Sequence, residues 1–182
     1  MAGGIGTHMD SPSHFIEGGK GISQIPLEEL IVPLRVIDLT ARHCPDLRLT
    51  PEDLVSHEKK YGKIPKKSLC VAYTGWSKYW KDPSKYRNPD ARGIMRFPSY
   101  TKESAEFLLE REISGIGIDT LSPDAADSDF AVHHLILGAG KYIIENFTHL
   151  DLVPPAGATL LALPLKITEG AESPIRAVAL VP

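Results

Sequence analysis

Apolar residues recur along most of this chain at the spacing of strands or of amphipathic helices, and glycine and proline mark the breaks. After a short helical turn over 26–30, Leu34-Arg35-Val36-Ile37-Asp38-Leu39 alternates or runs apolar as a buried strand does. Thr50-Pro51-Glu52-Asp53 opens a helix. Thr50 can cap it, Pro51 suits the first helical position, and the acids favour the positive end of the helix dipole. The helix should stop near Gly62, with Pro65 beyond it. A second core strand over 68–73 ends at Thr74-Gly75-Trp76, and a loop rich in Tyr, Trp, Pro and Asn covers 77–98. Thr101 caps the next helix, in which Ala105, Leu108 and Leu109 form an inward stripe before Gly115. Gly117-Ile118-Asp119-Thr120 ends a strand and runs into a polar loop through Asp129. A helix over 130–137 is stopped by Gly138 and Gly140, and a strand over 142–146 follows. The tail predicts two more strands, 158–166 and 175–181, separated by a turn around Gly170. Strands alternating with helices indicate an α/β fold, and the strand-rich tail a mixed sheet. No internal repeat or linker interrupts the pattern, so residues 1–182 are expected to form a single domain.

Composition narrows the partners. Hydrophobic content of 42% and charged content of 24% are those of an ordinary globular chain. A net charge of −3 gives no electrostatic case for nucleic acid or a membrane surface. The lysines at 59, 60, 63, 66 and 67 read as a solvated connection between helix and strand. No apolar run approaches the ~20 residues that span a bilayer, and no charged-then-apolar leader is visible. Cys44 and Cys70 have no ligand spacing and are expected as reduced thiols in a cytoplasmic protein. Gly3-Gly4-Ile5-Gly6 lacks the following Lys-Ser/Thr and the preceding strand of a phosphate loop. Gly115-Ile116-Gly117 reads as close packing at the start of a strand.

The densest chemistry lies at the N-terminus, in Gly6-Thr7-His8-Met9-Asp10-Ser11-Pro12-Ser13-His14-Phe15. Imidazole nitrogen and carboxylate oxygen are donors that borderline divalent metals prefer. In an extended strand, residues i and i+2 share a face, so His8 and Asp10 can approach one ion together. His14, beyond Pro12, is then placed to carry protons. The same residues also read as a surface loop that happens to hold two histidines. Farther on, Glu145 sits among apolar residues of a predicted strand, where a carboxylate must be paired or metal-bound. His133 and His134 lie in the helix that feeds it. That stretch reads equally as exposed helical histidines and a Glu145–arginine pair. Asp119, Asp124, Asp127 and Asp129 could also bind metal, but they lack a calcium-loop pattern and read as part of a solvated loop.

These motifs, in order along essentially the whole chain, resemble the bacterial cyclase family that includes kynurenine formamidase and isatin hydrolase. The family signature His-x-Gly-Thr-His-x-Asp-x-Pro-x-His is matched by Gly6-Thr7-His8, Asp10, Pro12 and His14. The match continues through Thr74-Gly75-Trp76, Phe97-Pro98, Ala105-Glu106-Phe107-Leu108 and Gly115-Ile116-Gly117-Ile118-Asp119-Thr120. It ends with His133, Gly138-Ala139-Gly140, Glu145-Asn146 and Leu161-Ala162-Leu163-Pro164-Leu165-Lys166. The resemblance implies a swivelling β/β/α-type cyclase fold assembled as a homodimer or larger homo-oligomer. It implies a zinc- or manganese-dependent hydrolase acting on an amide, formamide or lactam of a small molecule such as N-formylkynurenine. By the same resemblance His8, Asp10, His133 and Glu145 bind metal, the two carboxylates can bridge ions, and His14 is general acid and base. The register of Gly138-Ala139-Gly140 selects His133 over His134. Trp76, Tyr79 and Trp80 are candidates for an apolar wall around an aromatic substrate, or for ordinary packing.

Two departures accompany the match. The signature's first histidine falls on Gly4, which has no side chain to offer. That leaves a mononuclear site of His8, Asp10, His133 and Glu145, or a second ion held more weakly. Family members also carry a segment ahead of the signature, so an N-terminally short domain is expected, with an exposed sheet edge that favours association. A homologue that keeps the fold but serves in binding or assembly is the alternative to an enzyme.

Overall fold

In chain order the strands are β1 (His8–Asp10), β2 (Ile31–Asp38), β3 (Arg48–Leu49), β4 (Leu69–Tyr73), β5 (Ser99–Tyr100), β6 (Gly115–Ile118), β7 (Tyr142–Glu145), β8 (Thr159–Pro164) and β9 (Glu172–Leu180). The helices are α1 (Pro51–Tyr61), α2 (Pro83–Arg87), α3 (Lys102–Glu110) and α4 (Ala131–Gly138). They belong to a computed structural model that describes residues 3–182. The expectation about what precedes Met1 lies outside the described residues.

Seven strands close into a barrel in the order β1-β7-β6-β4-β2-β8-β9. Strands β2, β4, β6 and β7 run parallel, while β1, β8 and β9 join antiparallel, giving the expected mixed sheet. Three-residue β1 closes the ring, pairing with β7 on one side and β9 on the other. A separate parallel pair, β3 with β5, was not expected; two residues per strand are too few for a period to show.

Alternation divides the core. Met9, Leu34, Val36, Leu69, Val71, Tyr142, Ile144 and Leu160 pack together inside the barrel. Cys70, Ala72, Ile116 and Ile143 point the other way, against Leu54 of α1, Leu108 of α3 and Ile136 of α4. Gly117 is glycine because a Cβ there would lie 2.5 Å from the Phe147 ring inside the barrel. The helix signals hold. Asp53 accepts from the Thr50 backbone N–H at 3.0 Å, and Gly62 follows α1 with φ +84°. Thr101 Oγ1 accepts from the Ser104 N–H at 3.1 Å. The predicted 77–98 loop instead contains α2, capped by Asp82, whose side chain accepts from the Lys85 N–H at 3.2 Å. β9 also begins three residues earlier than expected, at Glu172 rather than Ile175.

One buried group ties this fold to pH. His57 on α1 is 6% exposed, and its Nε2 has no hydrogen-bond partner. Burial, and then the Arg35 guanidinium, push its pKa down to about 4. A folded-state value below the unfolded ~6.5 means the neutral ring stabilises the fold above that pH, and the contribution is lost as pH falls through the folded value. The His57 contribution to stability in urea unfolding should therefore decline between about pH 6.5 and 4, by at most ~3 kcal/mol. His57→Gln should flatten that decline; an unchanged slope would refute the assignment.

Candidate metal centre

The candidate site lies on the outer face of the barrel where β7, β1 and β9 meet. Met9 points inward to the core, so His8 and Asp10 point outward together. His8 faces Glu145 across the β1–β7 pair, and Asp10 faces Glu172 across the β1–β9 pair. Helix α4 covers this face and delivers His133. Each ring is held by its Nδ1 edge: His8 donates to the Gly6 carbonyl at 2.9 Å, and His133 pairs with Asp124 Oδ2 at 2.7 Å. Both rings therefore aim Nε2 into the centre.

Two carboxylates lie between the two imidazoles. From His8 Nε2, Asp10 Oδ1 and Glu145 Oε2 are each 3.4 Å away. From His133 Nε2, the other oxygens, Asp10 Oδ2 and Glu145 Oε1, are 3.9 and 3.5 Å away. Asp10 and Glu145 thus each turn one oxygen toward each histidine. Donor atoms of Asp10, His14 and His133 lie within 4.8 Å of one another, as do those of His8, Asp10 and Glu172.

Asp10 is 1% exposed, and its Oδ1 has no hydrogen-bond partner. Burial, and then the Glu145 charge, raise its pKa well above the carboxylate range. A buried, orphaned carboxylate oxygen among imidazole nitrogens is a poor resting arrangement without a cation, so the donor set fits a divalent metal. For His133, burial lowers the pKa, but the bond to Asp124 and then Glu145 outweigh it and raise the value to about 9. His14 is the most accessible member, its side chain 30% exposed, and burial lowers its pKa from the usual 6.5.

The sequence residues His8, Asp10, His14, His133 and Glu145 all meet here, while His134 is exposed on α4. Two expectations need correction. Asp124 is no solvated-loop residue: it is 4% exposed and accepts from the Val132 and His133 N–H groups at 3.0 and 2.9 Å as well as holding the ring. Asp119 is likewise buried, accepting from Thr74 Oγ1 at 2.6 Å and from the Trp76 N–H at 2.9 Å, which fixes the Thr74-Gly75-Trp76 turn. Of the two readings for the aromatic residues, ordinary packing is the one that Trp76 and Tyr79 take. Trp76 packs in a small core with Tyr86 and Phe97, Tyr79 packs against it, and Trp80 lines an open cleft of about 820 Å³ that no metal-centre residue lines. The rings at the centre are Phe15, stacked on His133 at 4.5 Å, and Phe130, edge-on to His133 at 5.9 Å. Phe15 directly follows His14, one residue beyond the signature. Glu172 carried no signal in the sequence.

Asp124→Ala should lower affinity for manganese or zinc about 10–100-fold, because His133 then loses the partner that sets its ring orientation. Titration calorimetry on the two proteins measures this, and equal affinities would sink the role.

Comparison with known proteins adds family to geometry. The sequence model of the family described as "Putative cyclase" matches residues 1–125. An isatin hydrolase of Roseibium aggregatum is 34% identical over 97% of this chain and 71% of its own length. A kynurenine formamidase of Paracidovorax citrulli is 32% identical over 100% of this chain and 78% of its own. Among solved structures, isatin hydrolase A from Labrenzia aggregata superposes with a TM-score of 0.93 at 37% identity, covering 100% of this chain and 74% of that one. A structure described as a potential metal-dependent hydrolase with cyclase activity gives 0.75 at 29% identity, over 97% and 78% of the two chains.

Proposed function

The chain belongs to the cyclase family, and from that premise we propose that it is a metal-dependent hydrolase cleaving an amide, formamide or lactam C–N bond of a small aromatic molecule. The observation that carries the reading is the pair Asp10 and Glu145, set between His8 and His133 with the Asp10 Oδ1 orphaned and buried. A zinc or manganese ion, held by His8, Asp10, His133 and Glu145, would supply Lewis acidity when bound, lowering the pKa of water toward about 7 and polarising a carbonyl.

The chain's own groups do the rest. His14 is neutral at pH 7 because burial depresses its pKa, so its imidazole accepts the proton of the attacking water. It returns that proton to the leaving nitrogen as the C–O bond forms and the C–N bond breaks. Asp124 keeps His133 in the tautomer that presents Nε2. Phe15 and Phe130 exclude water from one side of the centre and offer an aromatic substrate a wall.

The same reading has the protein working in the cytoplasm as a homodimer or larger homo-oligomer. No helix among the described residues is long and apolar enough to cross a membrane. Ile31, Val178 and Leu180 are exposed on adjoining strands, with Leu161 in register between Ile31 and Val178, an apolar face suited to a second copy.

Metal analysis of the purified protein, alongside hydrolysis of N-formylkynurenine and of isatin, tests the proposal. Stoichiometric metal with turnover supports it. Metal-free protein that zinc and manganese fail to reconstitute would overturn it. Stoichiometric metal without turnover on a panel of amides, formamides and lactams would favour the binding or assembly homologue, to which the bare Gly4 position lends weight.

A further inference from the structure

Glu172 is the acidic residue at this centre that no strand or motif signal in the sequence pointed to. It begins β9, opposite Asp10. Its Oε1 lies 4.0 Å from His8 Nε2 and 4.0 Å from His14 Nε2. The reason it can reach there lies in the glycines that cross it. A Cβ built on Gly4 would sit 2.6 Å from Glu172 Oε1 and 3.4 Å from His8 Nε2, and one on Gly3 would sit 2.7 Å from Glu172 Cβ. Residue 4 therefore points directly at the His8 side of the centre, and the Glu172 carboxylate already fills the volume its side chain would need. The two positions are alternative occupants of one place.

On these distances we propose that Glu172 is a metal ligand, supplying the His8 side of the centre from the space left by the missing side chain at residue 4. This rests on the metal-dependent reading above. The orphaned Asp10 Oδ1, 3.4 Å from His8 Nε2, marks that side as a place prepared for a cation. The ligand set there is then one imidazole, His8, with three carboxylates, Asp10, Glu145 and Glu172. Oxygen-rich sets suit manganese(II), whereas additional imidazoles favour zinc. The chain's departure at Gly4 thus changes which ion the His8 side prefers and leaves its ligand count intact.

Glu172→Gln keeps the shape and removes a charge from beside two other carboxylates, so the apoprotein should fold. Manganese titration by calorimetry and electron paramagnetic resonance should find two ions per chain in the unaltered protein. In the variant the weaker of the two should bind at least about 10-fold less tightly, the scale on which even outer partners of a metal ligand act. The manganese-dependent rise in melting temperature should shrink with it. Gly4→His should damage binding when Glu172 is present, because both side chains compete for one volume. Gly4→His combined with Glu172→Ala should recover the second ion and shift preference toward zinc. Two unchanged manganese affinities in Glu172→Gln would overturn the proposal while leaving the hydrolase reading in place. A chain that binds no metal before any substitution would overturn both.

Discussion

Asp10→Asn should abolish turnover, by about 10³-fold or more, and should make the metal-free protein more stable. The first effect follows because Asp10 alone of the β1 residues turns an oxygen to both histidines. An amide offers no anionic oxygen to either histidine, so a divalent ion held there would bind less tightly, and the activation of water it would supply should fall with it. A loss of 10³ corresponds to about 4 kcal/mol of barrier. The second effect has the opposite sign because the cost of burying this carboxylate falls on the apoprotein. Burial and then the Glu145 charge raise its pKa, so its folded-state contribution is present at low pH and lost as pH rises through the raised value. The gap in melting temperature between variant and parent, both in chelator, should accordingly be small near pH 4 and widest at neutral pH. His57 titrates in both proteins and cancels from the difference. Full metal content in the variant, or a less stable apoprotein at pH 7, would refute the assignment.

His14→Ala should cut turnover by about 10²–10⁴-fold, the usual range for a lost general acid–base group. Metal content should change little, since His133, Glu145 and Asp10 remain. The pH profile adds a second check. With its pKa lowered by burial, His14 is the working base at neutral pH, and kcat/KM should fall on an acid limb below about pH 6.5. That limb should disappear in the variant's residual activity. A variant that loses its metal together with its activity would make His14 a ligand instead, as its closeness to Asp10 and His133 permits.

Much of this molecule was legible because its signals are local. Caps at Thr50 and Thr101 mark helix starts, and Gly62 marks a stop. The i, i+2 spacing of His8 and Asp10 gave their common face, which β1 bears out. What was not legible depends on register between distant segments. Nothing near Glu172 distinguishes it from a turn acid; only the β1–β9 pairing sets it opposite Asp10. Asp124 lies in a stretch that reads as a polar loop, and its burial comes from capping α4, a tertiary fact. Of the two readings the aromatic loop carried, ordinary packing is the one Trp76 takes, again through a tertiary contact. An aromatic-rich loop has the composition of a binding wall, but Trp76 is held by its bond to the Tyr86 carbonyl at 2.9 Å and buried as core. The rings at the centre belong to Phe15 and Phe130, which composition does not single out.

The position of β1 has a further consequence, for synthesis. Its partners β7 and β9 lie at the far end of the chain, so the ribosome makes His8 and Asp10 long before Glu145, and Glu145 before Glu172. A nascent chain carries His8 and Asp10 from early on, but Glu145 joins them only when β7 emerges and Glu172 only with β9. β1 must then wait for both partners before the ring can close through it. Chains interrupted before β9 should remain open barrels in which β1 lacks one of its two partners.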